Sequence, residues 1–444
     1  MTPQVASAPS GPALPAAQPP ATPENPAAPE NPATLLARAV VASLVEAGVK
    51  RVVISPGSRN APLTYALADA AQAGYLQLRV VVDERSAAFV ALGASRSDWL
   101  HEGLARPAVA VMTSGSAVAN AHPAVVEADA AGVPLIILSA DRPHALVNTG
   151  ASQTTVQTGI FGAATRYQAD LGDTNASGAV ANQVRRAVAA ASGRLSLDPG
   201  PVHLNVRLAP PLAPATPWQV PHLEPKTHWL HARKPLEEQL NGVTVSQVGC
   251  RLGLDPARRG VIVVGDNDDA ALAHFAAALA HAWGWPLLAE PTSLVRTNAN
   301  AVAAYSALLA GGDGSVGGDG SASGDGAQLS QEIEQLLVVG HPTLTRPISA
   351  LLAREDIYQV VLTNRARWSD VSGQAAYVTT LEQALSSLNT PDVSAGAGAG
   401  GDASASADAG AGAGVGKNAP SPLWLQRWLQ AGQQQLNATS VTKA

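Results

Sequence analysis

Several short polar clusters carry the residue types that could hold an anion or move a proton. They are Ser58-Arg59, Asp83-Glu84-Arg85, Thr113-Ser114-Gly115-Ser116, Asp141-Arg142-Pro143 with Gln153 one loop further on, and Thr345-Arg346-Pro347. Glu84 is the sharpest of them. The aliphatic run Val80-Val81-Val82 stops at Asp83-Glu84-Arg85, and helix-like spacing (Ala88, Phe89, Leu92) begins at once. The pattern predicts that Glu84 sits where a buried parallel strand turns into a helix, the edge at which open α/β sheets bind their ligands. A half-desolvated carboxylate at such an edge can take a raised pKa and do proton chemistry.

The other clusters each admit a plainer reading. Gly57 permits a tight turn, and Ser58 with free backbone N–H groups could hold an anion that Arg59 grips bidentately. Equally, Ser58 could be an ordinary helix N-cap. Gly115 lets the backbone approach either a ligand or a packed neighbour. Arg346, like Asn364, Arg365 and Arg367 after the next strand, either points into a cleft or is a solvated arginine near a helix end. Four polar strand ends on one sheet, taken together, favour a binding cleft.

The elements that must position these residues alternate between aliphatic runs and helix-length segments. Runs at Val52–Ser55, Leu78–Val82, Ala108–Met112, Leu135–Leu138 and Val202–Val206 are spaced by helices. That is the pattern of a parallel sheet covered on both faces. Thr34 is the expected N-cap of a first helix that Gly48 ends. A second set follows at Val261–Val264, Leu287–Leu288, Leu336–Val339 and Val360–Leu362. The predicted fold class is therefore α/β, with two parallel-sheet, three-layer domains. A Pro/Ala-rich tail over 1–32 is expected to be disordered. One domain spans 33–215, a linker 216–240, and the second domain 241–390 with a low-complexity insertion at 311–327. A Gly/Ala/Ser linker covers 391–421, and an amphipathic segment with Trp424 and Trp428 opens at Pro422. Gly-Asp-Gly occurs at Asp313, Asp319 and Asp325, in a Ser/Gly/Ala tract with no preceding strand, and is read as linker and not as a metal site.

Composition narrows the function. A formal charge of −6 gives no footprint for nucleic acid or an anionic membrane, so an acidic ligand must be held by local arginines. One cysteine, Cys250, excludes an intramolecular disulfide framework and fits a cytoplasmic protein. No run reaches the roughly 18 apolar residues of a membrane span, and the N-terminus lacks a signal-peptide pattern.

The motifs P-G-S-R-N-A-P-L, D-E-R-S-A-A-F-V-A-L-G, T-S-G-S-A-V-A-N, S-A-D-R-P and G-A-S-Q-T, followed by G-H-P-T-L-T-R-P-I-S and R-W-S-D-V-S-G, lie in order over about residues 34 to 375. Together they closely resemble the 2-succinyl-5-enolpyruvyl-6-hydroxy-3-cyclohexene-1-carboxylate synthase family of menaquinone biosynthesis. The resemblance implies three α/β domains, of which the pyrimidine-binding and central ones correspond to this chain. It implies thiamine diphosphate with Mg²⁺ (or Mn²⁺), and transfer of the succinyl semialdehyde unit of 2-oxoglutarate to isochorismate with loss of carbon dioxide. Glu84 would hydrogen-bond the aminopyrimidine ring and promote its imino tautomer. Ser58, Arg59, Arg142, Gln153 and Arg346 match positions lining the substrate pocket, and Thr345 stands where some members have Lys. The Ser-Arg and Asp-Arg-Pro motifs argue against an acetolactate synthase relative. The resemblance also implies a homodimer or homotetramer with shared sites. The diphosphate-binding domain, with its metal ligands, is expected to begin near Pro422 and to be missing from this chain. The alternative is a truncated, catalytically incompetent two-domain module that binds anions or dimerises.

Overall fold

Alternation along the aliphatic runs builds both faces of each sheet. The computed structural model describes residues 30–172, 177–310, 324–342, 344–368, 370, 373–388 and 422–441. In the first unit the strands are β1 (Arg51–Ile54), β2 (Gln77–Val80), β3 (Ala108–Met112), β4 (Leu135–Asp141), β5 (Tyr167–Leu171) and β6 (Pro201–Arg207). They form one six-stranded sheet in the order β2-β1-β3-β4-β6-β5, every pair parallel. Val52, Ile54, Val109 and Val111 face one helical layer, whereas Val53, Ala108, Ala110 and Met112 face the other. The second layer is rich in alanine (Ala87, Ala88, Ala91, Ala124, Ala128), which brings helices Glu84–Glu102 and His122–Ala131 close to the sheet.

The second unit repeats the plan with β7 (Gly260–Val264), β8 (Leu287–Ala289), β9 (Gln335–Val339), β10 (Tyr358–Thr363) and β11 (Ala375–Thr380). Their order is β11-β10-β9-β7-β8, again parallel throughout. The α/β class with two parallel sheets is therefore present. The helix Pro422–Val441 lies on this sheet: Trp424 and Trp428 are buried among Val261, Val263 and Val338, and Trp424 Nε1 donates to the Gly260 carbonyl at 3.0 Å. The segment between the units is pinned to the first of them. Leu223 and Leu230 enter its core, and Trp218 N donates to Asp69 Oδ2 at 3.1 Å.

Three expectations need correction. The run before Glu84 is not a buried strand: β2 is the sheet edge, and Val80 and Val82 are 61% and 84% exposed. Strands β5 and β11 were not foreseen, because both are edges whose sequences, Tyr-Gln-Ala-Asp-Leu and Ala-Ala-Tyr-Val-Thr-Thr, lack the continuous apolar signal of a central strand. The first helix is capped by Asn31, not Thr34. Asn31 Oδ1 accepts from Thr34 N at 2.9 Å, and Pro32 takes the first helical position, where its missing N–H costs nothing. Of the expected tail over 1–32, residues 1–29 lie outside the described residues, as do the 391–421 linker and the Gly-Asp-Gly copies at Asp313 and Asp319. Asn31 and Pro32 instead belong to the first helix and its cap, and the third copy opens helix Gly324–Gln331. Among the described residues no helix is long and apolar enough to cross a membrane.

Candidate functional site

The loops after β2, β1, β3 and β4 leave neighbouring strands at one edge of the first sheet. The strand order reverses between β1 and β3, since β1 is followed outward by β2 on one side and by β3 on the other. Such a reversal opens a crevice at the carboxyl ends of the strands. Glycine sets how closely the two loops approach: a Cβ on Gly57 would stand 2.7 Å from Thr113 Cβ. Buried Asn60 folds the first loop, accepting from Gly57 N at 2.7 Å and donating to the Ser55 carbonyl at 2.9 Å.

Two arginines meet beside this crevice. Arg142 is buried, and its Nη1 donates to Ser114 Oγ and to the Gln153 carbonyl, each at 2.5 Å. Arg59 Nη1 donates to the Leu208 carbonyl at 2.8 Å, while its Nε is buried without a partner. Burial holds Arg59 below the ordinary arginine range; the Arg142 cation pushes the same way and Asp141 opposes it. Two partly desolvated guanidiniums with an unspent N–H form a site for an anion. Ser58 is exposed at the mouth of this loop.

Glu84 is half-buried at the first position of helix Glu84–Glu102, behind the Asp83 cap. Asp83 takes the capping duty, its carboxylate accepting from Ser86 N at 3.1 Å, so Glu84 is not used as a cap. Asn120 Nδ2 donates to Glu84 Oε2 at 3.4 Å, the one hydrogen bond to this carboxylate among the described residues. Glu84 is thereby joined to the Thr113–Asn120 segment, and Arg142 to Ser114 and Gln153. Gln153 has its carbonyl in the site, in a left-handed backbone conformation with φ 52°, while its side chain is exposed. Gly115 resolves toward packing: a Cβ there would lie 3.0 Å from the Gln153 carbonyl oxygen, and its N–H is taken by Gln157 Oε1 at 2.8 Å. Arg346 is not gathered in. It is exposed in the first turn of helix Arg346–Leu352 in the second unit, and no described hydrogen bond or ion pair joins it to the cluster.

Sequence reasoning missed the layer beneath the arginines. His203, Asn205 and Arg207 alternate along β6 and face one side of the sheet, yet the run was read as simply apolar. The period-two polar residues in a buried strand are the signal that was available. Asn205 Nδ2 donates to Asp141 Oδ2 (2.9 Å) and Asp170 Oδ1 (3.0 Å). Arg207 pairs with both carboxylates, at 3.0 and 2.9 Å, and donates to the Arg142 carbonyl at 2.9 Å. Ser139 Oγ lies 2.7 Å from His203 Nε2. Burial pushes His203 down to about 4 from 6.5, against a smaller opposing pull from Asp170. The folded protein holds this ring neutral, so stability is complete above pH 6.5 and is lost as the unfolded chain takes up the proton below it. Between pH 6.5 and 4 the loss from this group should reach about 3 kcal/mol. Chemical denaturation across that window should show a shallower pH slope for His203→Gln; equal slopes would refute the assignment.

A separate cavity of about 860 Å³ opens between the units, at the carboxyl edge of the second sheet. Its acids are largely matched by cations: Asp266 bonds Arg96 at 2.5 Å, and buried Asp268 pairs with Arg233 at 2.9 Å and with Arg365. The polar strand ends of the first unit lie on the first sheet, whereas His341, Asn364, Arg365 and Arg367 of the second unit line this cavity. Among the described residues no group of three His, Cys, Asp or Glu could hold a metal ion.

Residues 35–160, which carry Glu84 and both site arginines, match the family model described as thiamine pyrophosphate enzyme, N-terminal TPP binding domain. Similar proteins include the 2-succinyl-5-enolpyruvyl-6-hydroxy-3-cyclohexene-1-carboxylate synthases of Kineococcus radiotolerans, at 41% identity over 79% of this chain and 58% of that one. The protein of the same description from Nocardioides sp. is 43% identical over 76% of this chain and 51% of its own. That from Arthrobacter sp. is 40% identical over 72% and 48% respectively. The chain thus spans about half the length of the curated relatives it matches.

Proposed function

We infer that this chain, a homologue of the 2-succinyl-5-enolpyruvyl-6-hydroxy-3-cyclohexene-1-carboxylate synthases, provides the pyrimidine-binding half of a thiamine-diphosphate carboligase. The reaction proposed is decarboxylation of 2-oxoglutarate and transfer of the succinyl semialdehyde unit to isochorismate, in menaquinone biosynthesis. The observation that carries this reading is a half-buried carboxylate, not spent as a helix cap, after β2, on the same sheet edge as two guanidiniums after β1 and β4.

Glu84 fits the pyrimidine end of the cofactor by its donor set: a carboxyl with one long hydrogen bond has room to share a proton with a ring nitrogen. When bound, thiamine diphosphate supplies a nucleophilic carbon and an electron sink for the decarboxylation. Glu84 would hold the proton at the pyrimidine nitrogen and orient that ring over the crevice. Arg59 and Arg142, with Ser58 at the mouth and Gln153 lining the wall, would bind the carboxylates of the multiply anionic substrates. Arg346 would join from the second unit. The diphosphate and its Mg²⁺ (or Mn²⁺) would be held by residues outside the described ones. In this reading the protein is a cytoplasmic homodimer or homotetramer, with each site shared between copies.

The test is carbon dioxide release from 2-oxoglutarate with thiamine diphosphate, Mg²⁺ and isochorismate, using the chain alone and mixed with the remaining half of the Nocardioides relative. Release that depends on both substrates supports the reading, and none under either condition refutes it. Arg142→Ala should raise KM for an anionic substrate at least tenfold, roughly, with a smaller effect on kcat, because it removes binding and not proton transfer. An unchanged KM for both substrates would contradict the anion site.

A further inference from the structure

We propose that Gln157 is a positioning residue that sets the place of the Arg142 guanidinium, a role that rests on the anion site proposed above and extends it. Gln157 is buried and touches three separate strand ends. Its Oε1 accepts from Gly115 N at 2.8 Å, beside the Ser114 hydroxyl that receives Arg142. Its Nε2 donates to the Ala140 carbonyl at 3.1 Å, two residues before Arg142, and to Asn205 Oδ1 at 2.8 Å. Asn205 in turn donates to Asp141 Oδ2, and Asp141 Oδ1 accepts from Arg142 N at 2.7 Å.

One amide therefore governs both ends of Arg142. Through Gly115 and Ser114 it sets the acceptor at the tip of the side chain. Through Ala140, Asn205 and Asp141 it sets the backbone from which that side chain springs. Glycine at 115 makes the coupling tight: the residue has φ 84°, and the space of a Cβ is occupied by the Gln153 backbone. Gly115 is itself buried, with Gln157 Oε1 as the partner of its N–H, and it packs on the Gln153 backbone whose carbonyl is the second acceptor of Arg142. A primary amide is the one uncharged side chain of this length that accepts at one end and donates at the other. Glutamate would keep the Gly115 bond and turn an acceptor toward Ala140 O and Asn205 Oδ1.

The experiment uses the full chain and three readouts: hydrogen exchange at the Gly115 amide, the crystallographic position of Arg142, and affinity for 2-oxoglutarate by calorimetry. Gln157→Ala should expose Gly115 to fast exchange, displace the Arg142 guanidinium from Ser114, and weaken 2-oxoglutarate roughly tenfold. Added to Arg142→Ala, it should weaken binding no further, since residues acting through one group are non-additive. Gln157→Glu should keep Gly115 protected and still weaken binding, which serves if the alanine variant does not fold. A Gln157 effect that persists undiminished in the Arg142→Ala background overturns the proposal. So does an Arg142 that stays in place in the Gln157 variants. Arg142→Ala binding 2-oxoglutarate as tightly as the parent chain would instead overturn the anion site; the crystallographic position still decides the role of Gln157.

Discussion

Glu84→Gln, assayed under conditions where carbon dioxide release from 2-oxoglutarate is measurable, should slow that release by about 10²- to 10⁴-fold. The substitution keeps the side chain's size and its ability to meet Asn120, and removes only the capacity to hold a proton in a shared position. The Asp83 cap is untouched, so the helix that carries residue 84 should form as before. Affinity for 2-oxoglutarate should be nearly unchanged, because the arginines that hold its carboxylates sit at other strand ends. Measured together, kcat falling and KM holding identify a proton-transfer role. Parent-like kcat would remove Glu84 from the chemistry.

Asp268→Ala is expected to have the largest effect on stability. The Asp268 side chain is 3% exposed and lies between Arg233 and Arg365 at the junction of the two units. Burial alone would raise its pKa, but those two guanidiniums more than offset this, so the carboxylate is held below its ordinary range. Arg233 also lies 3.8 Å above the Trp99 ring of the first unit, and Arg365 reaches the Ala131 carbonyl there. Removing the central anion leaves two partly buried cations facing each other, with only Asp269 near Arg233. For a fully buried pair such a change costs about 3–5 kcal/mol, which sets the upper bound here. Urea unfolding followed by tryptophan fluorescence should show an earlier midpoint. Asp268→Asn should be milder, because it still accepts from Arg233. Because the folded pKa is depressed, this contribution is present above pH 3.8 and is lost as pH falls through the lowered folded value. A midpoint within error of the parent's would show that the two units cohere by other contacts.

The central strands were legible because a strand buried on both faces must be aliphatic at every position, as in Ala108–Met112 and Val261–Val264. Edge strands escape that requirement, so β5 and β11 carry no such signal, and the valine run before Glu84 mimics an interior strand. The site was legible where it shows itself as polar residues after a strand. Arg59, Arg142 and Glu84 all fall there, after β1, β4 and β2 of one sheet. The supporting layer was not, since Gln157, Asn205 and Arg207 owe their places to pairing between strands distant in sequence. Whether Arg346 turns toward the cleft depends on how the units meet, which no local pattern encodes.

The two tryptophans on the second sheet also fix an order of events during synthesis. The first unit's strands and helices are complete once residue 230 is available, so it can fold while the rest is still being translated. The second unit has all five strands by Thr380, but one face of its sheet waits for Trp424, Trp428 and Ala431. Until the ribosome has delivered them, the part of that face not covered by Leu308, Leu309, Ile348 and Leu351 stays open around Val261, Val263 and Val338. The interval between Thr380 and Trp424 is therefore the vulnerable window for aggregation. Chaperone capture of stalled nascent chains should be greatest there and should fall once residue 431 has emerged.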